Sequence, residues 1–467
     1  MSSKYKQLIR DMGIFAVGTL GSKLIVFLLL PLYTHVLTTE EYGVADLVFT
    51  LGQLLLPVVS LAIFNGLLRY GLMQNVESQD ALNCASKVYA AGCLIMILLT
   101  PLLKGIPTLG TQRWYLCGYV ISSFAVSNNL VYLKVKDKNK LYALLSILQT
   151  LTLIICNVVL LVVLDYGVQG YLLSYIISNM VTAVSALICG GMILDLKESV
   201  YHSSLMRSMI VFSLPYILND ISWWAIHSSN KLFVEFLLGS AVLGIYTTAS
   251  KIPSLVNVLA SIFTQAWGLS SIKEYDSSND TSFYSTVFLY FIIFVFGVCI
   301  VAVSVIKFFM KIYVSEAFFD AWRYIPLLLL GAVFSAISAF AGSLLGAMKK
   351  TGSLMWSTFV AGITNIALNL ILIPICGLWG AAIGTLAAHI IVAIIRLISV
   401  QRILEIDYHL KKSIPVMIIT VLHVVFVSMD FYSIAVSLTA LALFISFFDE
   451  ELCSLLSIFR KRCNLLQ

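Results

Sequence analysis

Fourteen apolar stretches, each 17 to 27 residues long, run through almost the whole chain. They lie near 12–33, 44–67, 85–103, 114–133, 141–164, 168–194, 209–228, 242–268, 285–310, 324–347, 354–376, 378–400, 414–430 and 432–448. One soluble core cannot bury so many. A helix needs about 20 apolar residues to cross the hydrocarbon layer, and there every backbone polar group must be satisfied internally. The stretches are hydrophobic all round rather than alternating, which makes them helices, not strands. The expected fold is all-α, a polytopic membrane protein with about 14 transmembrane helices. Of 467 residues, 60% are hydrophobic and 11% are Asp, Glu, Lys or Arg, whereas a soluble domain carries about 25% charged residues. A cytosolic enzyme, a secreted domain and a disordered chain are excluded. At roughly 30–35 residues per span and loop, no folded extramembrane domain fits.

The net charge of +6 is explained by topology, without nucleic acid. With the N-terminus in the cytoplasm, segments on that side hold 21 of the 29 basic residues. The outer segments hold Lys104, Arg113, Lys231, Lys307, Lys311 and Arg323, while Lys23 and Lys251 lie within spans. Positive charge inside orients membrane helices, so both termini are expected in the cytoplasm. Lys134–Lys140 (KVKDKNK) reads as an orientation signal, with contact to anionic headgroups the sharper reading. The nine Cys form no C-x-x-C and pair with no His, so neither a disulfide framework nor a metal site is expected. Without a Walker A motif there is no ATP site, and no cofactor is expected. The first stretch is too long for a signal-peptide core and lacks a small-residue cleavage site, so it reads as the first span.

Two internal matches suggest a repeat. Shifted by 201, Thr34–Gly43 falls on Glu235–Gly244, and both segments end in a Gly that opens the next helix. Shifted by 210, Gly167-Val-Gln-Gly170 falls on Gly377-Leu-Trp-Gly380. The expected organisation is an N-lobe over 1–200, a C-lobe over 201–405 and an extra helix pair with a tail over 406–467. Each lobe holds six helices, an even number, so the repeat is parallel, with its axis along the membrane normal.

Polar positions in a membrane helix must face protein or water, so they map the interior. Asp46, Thr50, Gln53, Pro57 and Ser60 share one face of the second helix. Adding 201 reproduces that face on the eighth as Thr247, Lys251, Ser254, Val258 and Ser261, which Gln265 extends. The first helix offers Gly18, Thr19, Ser22 and Lys23; the seventh offers Tyr216, Asn219, Asp220, Trp223, Trp224 and His227. A water-filled cavity between two lobes is the simplest geometry. Lys23 and Lys251 lie about 16 Å and about 13 Å below the outer ends of their helices, too deep to snorkel easily. Together they would make a divalent anion site. Substrate-contacting candidates are Lys23, Lys251, Gln53, Ser254, Asn219, Trp223 and Gln265; coupling candidates are the acids Asp220 and Asp46. Packing and counter-ion roles compete at each position. His389 and His423 read as structural, Gly342–Gly346 as a helix-packing motif, and Glu40–Gly43 as a helix N-terminus with acids against the dipole.

The run Leu214–Tyr275, with PYILNDISWW, SNKLFVEFLLGSAVLGIYTTASKIPSL and FTQAWGLSSIKEY, resembles the polysaccharide-transport branch of the multidrug/oligosaccharidyl-lipid/polysaccharide exporter superfamily. PLYTHVLTTEEYGVADL near the N-terminus and the late GLWGAAIGT are similar to it too. The resemblance implies a flippase in the bacterial cytoplasmic membrane that moves undecaprenyl-diphosphate-linked oligosaccharides by alternating access for O-antigen, capsule or exopolysaccharide assembly. It implies the lipid-linked oligosaccharide and membrane lipids as partners, with a polysaccharide polymerase and chain-length machinery as further ones. It also implies cavity cations at Lys23 and Lys251, where family members often carry Arg. Many members read Asp-Arg where this chain has Asn230-Lys231. An ion-coupled multidrug antiporter is the alternative; it predicts an acidic, aromatic cavity and typically stops at twelve spans. A membrane polysaccharide polymerase would need a substantial outer loop, and the largest here, 311–323, offers only Glu316 and Asp320 as acids. The chain is therefore expected not to be an enzyme.

Overall fold

A computed structural model describes residues 27–73, 75–105, 109–277, 281–431, 434–449 and 451, without the side chains of 265, 269 and 272–277. Among the described residues every regular element is helical. The described residues divide into two compact units, one of Pro31–Gly244 and the other of 27–30 with the described residues from Ile245 onward.

The first unit carries α1 (Leu30–Val36), α2 (Thr39–Val59), α3 (Ile63–Gly71), α4 (Ser78–Leu99), α5 (Arg113–Val135) and α6 (Asn139–Asn157). It continues with α7 (Gly167–Cys189), α8 (Met192–Glu198), α9 (Ser203–His227), α10 (Ser229–Leu238) and the first turn of α11 (Ser240–Ser277). The second unit holds the rest of α11, then α12 (Thr281–Tyr313), α13 (Ile325–Ala347), α14 (Thr351–Cys376), α15 (Leu378–Gln401), α16 (Leu410–Ser428) and α17 (Ile434–Phe447). Eleven helices among the described residues are long and apolar enough to cross a membrane: α2, α4–α7, α9 and α12–α16. The 38-residue α11 and the 14-residue α17 correspond to two more of the expected spans. The first expected span lies mostly outside the described residues.

The first unit ends at Gly244, and within it α9 packs on α2, α3 and α4. Their shared core includes Ile63, Leu67, Leu82, Val88, Phe124, Tyr132 and Met209. In the second unit the rings of Phe263, Trp267, Phe291 and Phe340 stack, with Trp267 and Phe340 at 4.7 Å. There α16 packs on α12 and α13, and Lys307 on α12 pairs with Asp430 just beyond α16.

Three spans differ from expectation. The second breaks after α2, where Leu61 and Ala62 take left-handed backbone conformations and the Ser60 hydroxyl accepts the Ala62 N–H at 3.1 Å. The sixth stops at Cys189, where left-handed Gly191 starts the separate α8. The seventh runs on past Ser228 into α10.

Both internal matches have backbone counterparts. Gly167 and Gly377 have positive φ, of 51° and 58°. A Cβ on Gly170 would lie 2.9 Å from the Leu160 carbonyl, and one on Gly380 would lie 2.3 Å from that of Leu372, so each glycine lets its helix fold back tightly on its predecessor. The starts of α2 and α11, at Thr39 and Ser240, are 201 residues apart. Within the first unit these ends cross reciprocally. A Cβ on Gly43 would sit 1.9 Å from the Ser240 carbonyl oxygen, and one on Gly244 would sit 2.0 Å from that of Thr39. Glu41 closes a capping box: Thr38 Oγ1 accepts its N–H at 3.2 Å, and its carboxylate accepts the Thr38 N–H at 2.9 Å.

Candidate functional site

The first unit gathers its polar groups where α2 meets α9 and α10. Asp46 is 6% exposed. Its carboxylate lies 2.8 Å from Lys231 Nζ on α10, and the ammonium also donates to the second oxygen at 3.1 Å. The phenols of Tyr119 and Tyr175 lie within electrostatic reach of Asp46. Phe49 packs between their rings, at 4.9 and 4.4 Å, and a cluster of Tyr33, Tyr42 and Tyr171 continues from it. Lys231 is therefore not the outer-loop charge of the topology count. The helix resumes after Ser228 and runs to Gly239, which carries Lys231 back among packed side chains.

The stripe read as water-lined on α2 is largely packed instead. Asp46, Thr50, Pro57 and Ser60 are buried, and only Gln53 of that stripe is exposed. The Thr50 carbonyl accepts the indole N–H of Trp224 at 2.8 Å, tying α9 to α2. Trp224 packs, while Trp223 is 43% exposed and stacks flat on His227 with centroids 5.5 Å apart. Asn219 is exposed and donates to Asp220 at 3.4 Å. Asp220 is half-buried, near the middle of the α9–α10 run. Gln53, Asn219, Asp220 and Trp223 thus stay off the packed core, whereas Asp46 is sunk within it.

In the second unit, Lys251 is half-buried on α11, and Ser254 is exposed one turn later, its hydroxyl donating to the Lys251 carbonyl at 2.5 Å. Lys23 and the side chain of Gln265 lie outside the described residues. Arg396, counted among the cytoplasmic charges, is 5% exposed between helices. It donates to Ser357 Oγ at 3.0 Å, the Ser338 carbonyl at 3.1 Å and Thr358 Oγ1 at 2.9 Å. Gly342 makes room for it: a Cβ there would lie 2.9 Å from Arg396 Nη1, while Gly346 meets nothing within 4 Å. The two glycines are therefore not a helix-packing pair. Moving Lys231 and Arg396 from loop to interior removes one charge from each side of the topology count and leaves its sign unchanged. His389 and His423 are buried, the first against the Thr385 carbonyl and the second against Ser437.

The family model for polysaccharide biosynthesis proteins matches residues 8–268, more than half of the chain. The chain belongs to the polysaccharide biosynthesis protein family. This family member is similar in fold to the lipid II flippase MurJ in an inward closed conformation, with a TM-score of 0.66 at 16% identity over 94% of this chain and 99% of that one. It is similar also to an inward-facing multidrug resistance MATE family transporter of the MOP superfamily, with a TM-score of 0.60 at 16% identity over 88% and 96%. An outward-facing MATE transporter gives 0.56 at 13% identity over 86% and 96%. At such identities the likeness is one of fold. Among curated proteins there is no significant match.

Proposed function

We propose that this chain translocates undecaprenyl-diphosphate-linked oligosaccharide repeat units across the bacterial cytoplasmic membrane by alternating access, with both termini in the cytoplasm. The observation that carries the reading is Lys251, a half-buried ammonium on a long membrane helix with exposed Ser254 one turn away. An intramembrane cation is costly, about 2.5–3.5 kcal/mol even on the lower insertion scale, and such residues mark substrate paths. A cation suits a diphosphate leaving water, because charge-assisted hydrogen bonds offset the loss of hydration. Lys23 is proposed as its partner, with Gln53, Asn219, Trp223, Ser254 and Gln265 contacting sugars. The family match to residues 8–268 supports a role in polysaccharide assembly. The lipid tail stays in the bilayer while the headgroup follows the polar helix faces. No covalent step is required. A polymerase and chain-length proteins would consume the product.

Asp220 is proposed to couple movement to an ion gradient. Its position beside exposed Trp223 is also what a cation antiporter would use, and the substrate assay separates the two. In cells, deleting the gene should abolish surface polysaccharide and leave lipid-linked repeat units in the inner leaflet. Wild-type protein should restore export; Lys251→Ala, inserted at the same level, should not. Normal surface polysaccharide in the deletion strain, with no second exporter expressed, refutes the proposal.

A further inference from the structure

A cavity of about 330 Å³ opens between α3 and α9, away from the Asp46–Lys231 pair, lined by Asn65, Leu68, Arg69, Leu72, Phe212 and Tyr216. The four residues of α3 and its C-cap fall at i, i+3, i+4 and i+7, one face of a helix; the two on α9 are one turn apart. The helices are clamped beside it. The Gly66 N–H donates to Ser213 Oγ at 3.1 Å, and a Cβ on Gly66 would come within 2.9 Å of the Met209 carbonyl. That contact is buried, and the cleft opens beside it.

Arg69 is exposed and, among the described residues, makes no hydrogen bond, ion pair or ring contact. Of the other cations on this side of the unit, Lys136 pairs with Asp195 at 3.3 Å, Lys138 donates to the Gly190 carbonyl at 2.8 Å, and Lys134 and Lys87 lie over tyrosine rings. Lys140, Lys197 and Arg207, like Arg69, make no such contact among the described residues, but they do not line this cleft with it. Asn65 spends one amide hydrogen on the Ala62 carbonyl at 3.3 Å. Leu68, Leu72 and Tyr216 are exposed at the rim. The cleft therefore joins a guanidinium, an amide and a phenol to an apolar slope.

We propose that this cleft binds an anionic phospholipid of the cytoplasmic leaflet, its phosphate on Arg69 and Asn65 and one acyl chain along Leu68, Leu72 and Phe212. Three arguments select that occupant. The charge count puts the end of α3 on the cytoplasmic side, where basic pockets between membrane helices take anionic headgroups. One guanidinium matches one phosphodiester, whereas a lipid diphosphate brings more negative charge than the lining offsets. The lining holds no carboxylate to pair with the cation of a zwitterionic headgroup. The volume of about 330 Å³ suits a headgroup and the first methylenes of a chain.

The test is native mass spectrometry of the delipidated full chain titrated with phosphatidylglycerol, phosphatidylcholine or inorganic phosphate. The wild type should hold one phosphatidylglycerol more tightly than the rest and show no such site for phosphatidylcholine. Arg69→Gln should weaken it about tenfold or more, Arg69→Lys less, and Lys311→Gln not at all. A photoreactive benzophenone residue at Leu72 should crosslink phosphatidylglycerol, which keeps the test decisive even if Arg69→Gln misfolds. Equal binding by wild type and folded Arg69→Gln, displacement by millimolar inorganic phosphate, or preferential displacement by a polyprenyl diphosphate would each overturn the proposal. None of these readouts depends on transport.

Discussion

Replacing Lys231 with Met strips the counter-ion from Asp46 inside the first unit. The ammonium and carboxylate are 2.8 Å apart, with side-chain exposures of 16% and 8%. At an effective dielectric of about 20, that separation gives an attraction of about 6 kcal/mol. Desolvating each ion costs several kcal/mol, so the intact pair contributes little net stability. Removing one partner is different: the remaining charge keeps its desolvation cost and loses its attraction. Lys231→Met should therefore destabilise the protein by about 3–5 kcal/mol. The double variant Asp46→Leu, Lys231→Met should recover at least about 2 kcal/mol of that, since no buried charge remains. The assay is reversible denaturant unfolding in micelles, run as a double-mutant cycle. A loss below about 1 kcal/mol in Lys231→Met, or additivity of the two substitutions within about 0.5 kcal/mol, would refute the reasoning.

Three further outcomes follow from the geometry. Gly43→Ala puts a Cβ against the Ser240 backbone and should cost about 1–3 kcal/mol in the same unfolding assay, while Gly352→Ala, with nothing within 4 Å, should cost nothing measurable. In a background without native cysteines, Cys at Gln53 or Ser254 should react with small charged thiol reagents much faster than Cys at Leu30, which is 1% exposed; equal rates at all three would mean the polar faces meet no water. If Asp220 carries the coupling proton, Asp220→Asn should abolish gradient-driven flipping in proteoliposomes while leaving substrate binding intact, and wild-type flipping that ignores an imposed pH gradient contradicts the idea.

The membrane fold was legible because the bilayer imposes one rule on every span, and hydropathy reports it directly. The turn glycines were legible, since Gly167 and Gly377 adopt backbone angles that other residues avoid. Helix faces were harder to read. A polar stripe marks what must avoid lipid, but packed protein shelters Asp46 and Thr50 as well as water would. Lys231 was misassigned because a cation lowers hydropathy whether or not the helix continues, although the absence of Gly or Pro before Gly239 was a signal that it does. Arg396 was counted as a loop charge because its partners, Ser357, Thr358 and the Ser338 carbonyl, are neutral and leave no charge pattern. In the sequence Arg69 is only one of the 21 basic residues on the cytoplasmic side; the cleft beside it lies next to the close approach of Gly66 to Met209, which sequence spacing does not reveal.

Translocation itself is tested most directly by reconstituting the purified chain into vesicles carrying a diphosphate-linked oligosaccharide in one leaflet and following its accessibility to an impermeant glycosidase. The wild type should move the lipid-linked sugar faster than protein-free vesicles. Lys251→Ala should lose most of that rate, and Lys251→Arg should keep part of it. Folded wild-type protein that leaves the lipid-linked sugar in place while exchanging cationic drugs would contradict the account.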